Sequence, residues 1–169
     1  MTDFFPSPPN PNVETKELVH AIVDSKELIA YADATGKFPY VSTQGNQYLL
    51  IAYHYDANHL RAELLKNREA ATITAAYKAH EAYFEQAGVK PSTWVLDNEF
   101  SKELKAAFTK EDISYQLVPP KTHRSNAAER GIQTYKNHLK AGLAAVDPDF
   151  PVKEWDCLIP QANLTLNIL

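Results

Sequence analysis

Between residues 28 and 65 the apolar residues fall in three short strand-like runs separated by turn chemistry; over residues 73–87 they switch to helical spacing. That change of period, from about 2 to about 3.6, restricts the chain to folds mixing strands and helices. The first run, residues 28–32, alternates and closes at Asp33. Residues 48–55 form a second run and residues 59–65 a third, with Asp56-Ala57-Asn58 between them short enough for a hairpin. Thr35-Gly36 and Gly45-Asn46 supply turns between the first two. Three consecutive strands on short turns predict an antiparallel meander.

Ile73, Ala76, Tyr77, His80, Phe84 and Ala87 then recur at helical intervals, with Asn67 as the expected N-cap and Gly88 and Pro91 as the stop. Residues 93–96 read as a short buried strand, 102–108 as a brief helix, and 113–118 as a fifth strand closed by Pro119-Pro120. A long helix is expected over 127–145. Strand–helix–strand crossovers make the later strands parallel to the first. The expectation is an α/β domain of ribonuclease H type: a mixed five-stranded sheet, three antiparallel strands and then parallel ones, flanked by helices.

The 169 residues, 44% of them hydrophobic, suffice for one core. Residues 27–169 are assigned to it, as a domain that could be cut short at its C-terminal end. Residues 1–26 read as a flexible leader: four prolines within residues 6–12, then a short helix over 15–27. No run reaches the ~18 apolar residues of a membrane span, and the N-terminus lacks signal-peptide character. A single cysteine, Cys157, excludes an internal disulfide and any Cys-x-x-Cys zinc site, so no zinc and an intracellular setting are expected. Beside Leu158 and Ile159, Cys157 itself reads as a core residue.

Three carboxylates stand at element boundaries: Asp33 and Asp97 at strand ends, Glu129 near the start of the long helix. Acids converging at one sheet edge repel one another and are tolerable around hard divalent cations, which prefer oxygen ligands. Asn98 can fix an oxygen of Asp97. On the long helix Glu129, Gln133, Lys136 and Lys140 share one face, and Ala128, Ile132, Tyr135, Leu139 and Leu143 an adjacent apolar one. Residues 121–140 carry Lys121, Arg124, Arg130, Lys136 and Lys140 against Glu129 alone, in a chain of net charge −4. Local potential steers ligands more than total charge does, and ammonium groups beside carboxylates suit a phosphate backbone. His123 and Arg124, in the polar stretch 121–126, are candidates for the same contacts; His54, His59 and His80 read as structural or exposed. There is no Gly-x-Ser-x-Gly elbow, P-loop or dinucleotide glycine pattern.

At these residues the chain resembles the catalytic core of retroviral and copia-like retrotransposon integrases, DDE recombinases of the ribonuclease H-like superfamily. Ala32-Asp33-Ala34-Thr35-Gly36 is similar to the first-aspartate strand, and residues 53–63 to the second hairpin. Leu96-Asp97-Asn98-Glu99-Phe100-Ser101 resembles the second-carboxylate motif. Pro119-Pro120 through Asn126-Ala127-Ala128-Glu129-Arg130 resembles the Pro-rich loop and third-carboxylate helix start, and Trp155, Ala162 and Asn167 the closing helices. The departures are Glu99 and Ala127, where such cores usually carry glycine, and a short Asp97–Glu129 interval.

The resemblance implies a polynucleotidyl transferase that trims DNA 3′ ends and joins them to target DNA. Asp33, Asp97 and Glu129 would be catalytic and would hold two Mg²⁺ ions (or Mn²⁺). Lys121, His123, Arg124, Asn126, Lys136 and Lys140 would contact DNA, with Asn98 supporting Asp97. It also implies homo-oligomers on DNA, no membrane partner, and a nuclear location when the target is chromosomal. A hybrid-cutting ribonuclease H-type nuclease, and a silent or domesticated core serving as a DNA-binding or oligomerisation module, are the alternatives.

Overall fold

The computed structural model describes residues 28–96, 101–117 and 123–168, the side chains of 123–127 excepted; the leader over 1–26 lies outside them. Five strands and four helices follow the anticipated order: β1 (Ile29–Ala34), β2 (Tyr48–His54), β3 (His59–Leu65), α1 (Ala70–Gln86), β4 (Thr93–Leu96), α2 (Lys102–Lys110), β5 (Tyr115–Leu117), α3 (His123–Ala145), a 3₁₀ turn (Val152–Leu158) and α4 (Ile159–Ile168). The sheet runs β3-β2-β1-β4-β5, with β1–β2 and β2–β3 antiparallel and β1–β4 and β4–β5 parallel.

Alternation along the strands divides the interior into two layers. Ile29, Tyr31, Leu49, Ile51 and Tyr53 face α3 and α4, where Ile132, Tyr135, Leu139, Ile159 and Ala162 meet them. Ala30, Leu50, Ala52, Trp94 and Leu96 face α1 and α2, against Tyr77, Phe84, Leu104 and Phe108. The apolar stripe expected on the long helix is thus its docking face, with Leu143 only half-buried. Gly131 is what lets α3 lie so close to the sheet, because a Cβ there would stand 3.2 Å from Tyr53 Cδ2. Edge strand β3 is covered by side chains rather than another strand. Asn163 accepts from Ala62 N–H (2.9 Å) and donates to its carbonyl (3.1 Å), and Asn167 treats Leu60 in the same way. Two amides one helical turn apart thereby satisfy an edge otherwise open to pairing.

Local structure differs from expectation at several places, and β5 starts at Tyr115 rather than at 113. Helix α1 begins after Glu69, not Asn67, whose Oδ1 accepts instead from Glu69 N–H in a turn before the helix. It ends as anticipated at Gly88, with φ +74° and its N–H on the Glu85 carbonyl. Helix α3 starts at His123 rather than near 127, so His123, Arg124 and Asn126 belong to its first two turns and not to a loop. Cys157 is exposed, because 3₁₀ geometry sets it on the same side as Glu154 while Trp155 and Asp156 turn inward.

His54 and His80 are fully buried; both ring nitrogens of His54 are bonded, whereas His80 Nδ1 is left without a partner among the described residues. His54 Nε2 donates to the Val89 carbonyl at 2.8 Å while Nδ1 accepts from Ala57 N–H. His80 Nε2 faces the Leu50 carbonyl at 3.3 Å. Burial pushes His80 down to about 3 from 6.5, with the Arg61 charge adding to it, and burial also lowers His54 and His59. Groups depressed on folding contribute stability that is complete above about pH 6.5 and is lost as pH falls, because the unfolded chain then takes up protons the folded chain refuses. Unfolding free energy should fall below pH 6.5 by up to about 1.4 kcal/mol per pH unit for each such histidine. Urea unfolding from pH 7.5 to 4.5 measures the slope, which His80→Gln should lessen; a wild-type midpoint flat across that range would refute the assignment.

Candidate active site

The sheet order puts β1 at its centre, flanked by β2 and β4. Parallel register pairs Ile29 with Thr93 and Tyr31 with Val95, so β1 and β4 deliver their carboxyl ends to the same edge. Asp33 stands at that edge near the end of β1, with its side chain 55% exposed. Strand β4 ends at Leu96; Asp97, Asn98, Glu99 and Lys121 lie outside the described residues, as do the side chains of His123, Arg124 and Asn126.

Helix α3 crosses the same edge and brings Lys136 Nζ to 2.8 Å from Asp33 Oδ2. This pairing joins a predicted metal ligand to a predicted phosphate contact. Glu129 is exposed and lies two turns before Lys136, roughly 10 Å along the axis. Helix side chains lean toward the N-terminus, so the Lys136 head group meets Asp33 nearer to Glu129 than its own backbone position suggests. Lys140 is exposed one turn further on. Gln133, on the same face, donates to Asn137 Oδ1 at 2.8 Å.

On the opposite side of Asp33 a cleft of about 320 Å³ opens between the starts of α1 and α2, with Arg68, Ile73, Tyr77, Ser101 and Leu104 in its wall. Sequence reasoning did not select Arg68, Tyr77 or Ser101. Tyr77 was legible only as a core position of α1, and it is buried. Burial, and after it the negative charge of Asp33, raise the Tyr77 hydroxyl well above the ordinary tyrosine range. Ser101 caps α2, accepting from Leu104 N–H at 3.2 Å.

An exposed oxygen-only donor at the sheet edge fits a hard divalent cation. Asp33 has one oxygen on Lys136, and that amine can exchange for another cation at modest cost because exposed ion pairs contribute only about 0–1 kcal/mol. Glu129 is exposed on the helix face that Lys136 shares.

A central strand ending in an acid, a parallel neighbour ending at the same edge and an acid-bearing helix across it define an α/β core of the ribonuclease H-like kind. The chain has the fold of retroviral integrase catalytic cores. It is similar to the HTLV-2 integrase catalytic core domain solved in complex with magnesium, in its dimeric form, with TM-score 0.60, 20% identity, and 85% of this chain and 88% of that chain covered. It is similar to the BIV integrase catalytic core domain, with TM-score 0.59, 10% identity and 82% of each chain covered. A chain of the simian T-cell lymphotropic virus intasome, in complex with the PP2A regulatory subunit B56 gamma, matches with TM-score 0.62 and 19% identity over 82% of this chain. The match covers 48% of that intasome chain, about half its length. No protein-family model and no curated sequence matches the chain.

Proposed function

We propose that this domain is the catalytic core of an integrase-type polynucleotidyl transferase acting on DNA ends. The observation that carries the reading is Asp33 at the end of the central strand, bonded to Lys136 on the helix that carries Glu129. Asp33, Asp97 and Glu129 would hold two Mg²⁺ ions, with Mn²⁺ as substitute, and Asn98 would orient Asp97. When bound, such ions supply Lewis-acid activation of the attacking oxygen and charge stabilisation of the leaving oxygen in an in-line displacement.

The chain's own residues bind and position. Lys136 reaches the carboxylate edge from the helix flank, so it can neutralise Asp33 or hold a phosphate beside it. Lys140 extends the positive face along the helix, and Lys121, His123, Arg124 and Asn126 would extend it toward the start of α3. These groups position the backbone without reading sequence. The HTLV-2 core is known in complex with magnesium, in dimeric and trimeric forms, which supports Mg²⁺ and a homo-oligomer here. No helix among the described residues is long and apolar enough to cross a membrane. Chromosomal target DNA would place the activity in the nucleus.

The deciding experiment incubates the full chain and Mg²⁺ with a blunt duplex oligonucleotide and a supercoiled target, and in parallel with an RNA–DNA hybrid. Metal-dependent 3′-end trimming and joining of the duplex is the expected outcome. Cutting of the hybrid alone would replace the reading with a ribonuclease H-type nuclease; DNA binding with no chemistry in Mg²⁺ or Mn²⁺ would make the domain a binding module. Lys136→Met should weaken DNA binding evenly across sequences. It should also flatten the slope of log affinity against log salt by about 0.9, the contribution of one phosphate contact. An unchanged slope would remove Lys136 from the DNA-contacting set.

A further inference from the structure

We infer that Glu154, Asp156 and Cys157, in the 3₁₀ turn far along the chain from Asp33, form a second cation site, selective for a thiolate-accepting divalent ion of the zinc class. Their ligand atoms all lie within 4.8 Å of one another. The observation pointing to a ligand is Asp156. Its side chain is buried, with only 2% of the residue exposed, and its Oδ1 has no hydrogen-bond partner. Its other oxygen, Oδ2, accepts from the neutral amide of Asn46 at 2.8 Å. No described lysine, arginine or histidine forms an ion pair with it. A buried carboxylate beside a second carboxylate is costly unless a cation compensates it.

The surroundings are those of an oriented ligand set. Glu154 has one oxygen, Oε1, taken by the Thr43 hydroxyl at 2.5 Å, and turns the other, Oε2, to Cys157 Sγ at 3.5 Å. Asp156 repeats the arrangement, with Asn46 on one oxygen and the other unpartnered. Each acid is thus held from outside by a polar group of the β1–β2 connection, as carboxylate ligands to metals usually are. Bonds of about 2.3 Å to sulfur and about 2.0 Å to oxygen in a tetrahedral site separate S and O by about 3.5 Å. The Cys157–Glu154 pair already has that spacing. One thiolate among two carboxylates favours zinc-class ions over magnesium. The lack of a Cys-x-x-Cys pattern excluded only paired-cysteine sites, so this one escaped the sequence argument. Exposure of Cys157 gives the ion a path from solvent, and its thiol proton leaves to solvent as the ion binds. The ion would clamp residues 42–46 to the 3₁₀ turn, where Thr43 N–H already bonds the Lys153 carbonyl.

Cobalt(II), added to the reduced full chain without oxygen, tests this independently of any DNA chemistry. One Co²⁺ per chain should produce a thiolate-to-cobalt charge-transfer band in the near ultraviolet, which Zn²⁺ abolishes on displacement. The band should persist in Asp33→Asn, vanish in Cys157→Ser, and require at least about 10-fold more Co²⁺ in Asp156→Asn and in Thr43→Val. Circular dichroism confirms the fold of each variant, and Glu154→Gln replaces Asp156→Asn if the latter fails to fold. Absence of the band overturns the proposal. So does a band of undiminished affinity in both carboxylate variants, which would mark Cys157 as a lone adventitious thiol.

Discussion

Replacing Asp33 by asparagine should abolish Mg²⁺-dependent trimming and joining of DNA ends while leaving the folded state essentially intact. The expected loss exceeds about 100-fold, above what disturbing a group outside a metal's ligand shell produces. The fold should survive because the side chain is 55% exposed and its hydrogen bond goes to Lys136, which is itself partly exposed. A surface pair of this kind contributes at most about 1 kcal/mol. The substitution is isosteric and removes the charge alone, so DNA binding should be retained or strengthened as Lys136 loses its carboxylate partner. Asp97→Asn should show the same phenotype if the two acids serve one site. Oligonucleotide strand transfer, filter binding and a thermal melt on the same preparation separate these effects. Full activity in Asp33→Asn would remove the carboxylate edge from the mechanism, and loss of folding would reassign Asp33 to a structural role.

The fold was legible because each level of the sequence agreed with the next. Alternation in residues 28–32, the Asp56-Ala57-Asn58 turn and the Gly88 stop each had one structural reading, and each stands in the structure. What misled was local chemistry with two acceptable uses. Asn67 accepts a backbone N–H two residues on, as Asx turns do, and so imitates a cap without being one. The stretch 121–126 is polar enough for a loop, yet from His123 it continues the helix that the apolar stripe of α3 anchors. Asn163 and Asn167 had no signal beyond their four-residue spacing, since what they bond is a strand about a hundred residues away.

The candidate site was legible as residue types and only partly as geometry. Asp33, Glu129 and Lys136 were selected, and Asp33 and Lys136 meet. Their meeting reflects how α3 docks across β1 and β2, which depends on Gly131 admitting the Tyr53 ring, a contact that no periodicity encodes. Cys157 shows the converse. Apolar neighbours suggested burial, but the turn it occupies is 3₁₀, where residues three apart eclipse, so it joins Glu154 at the surface while Asp156 goes inward.

The tie between that turn and the site end of the sheet rests on Trp155, and Trp155→Ala should cost about 3–5 kcal/mol, the range for emptying a large aromatic from a core. Its ring stacks on Phe38 with centroids 4.0 Å apart and planes within 1°. Its indole N–H donates to the Tyr40 carbonyl at 3.0 Å, and it is 2% exposed. Phe38 and Tyr40 belong to the connection that leaves β1 directly after Asp33 and Thr35, so one side chain holds that connection from two sides. A loss of this size is a large fraction of the 5–15 kcal/mol that typically separates folded from unfolded domains. Trp155→Phe isolates the polar share: it keeps most of the stacking area and gives up the hydrogen bond, which should cost about 0.5–1.5 kcal/mol, since Tyr40 is 55% exposed and the bond is only partly buried. In a cycle with Phe38→Ala, the two large-to-small changes should fall short of additivity, since each removes the same stacked contact. Urea unfolding of the four proteins measures the coupling, and limited proteolysis should cut Trp155→Ala first between residues 36 and 46. If Trp155→Ala unfolds within about 1 kcal/mol of wild type, or the cycle is additive, the anchor lies elsewhere and the Phe38 stack is incidental to holding the first strand's exit in place.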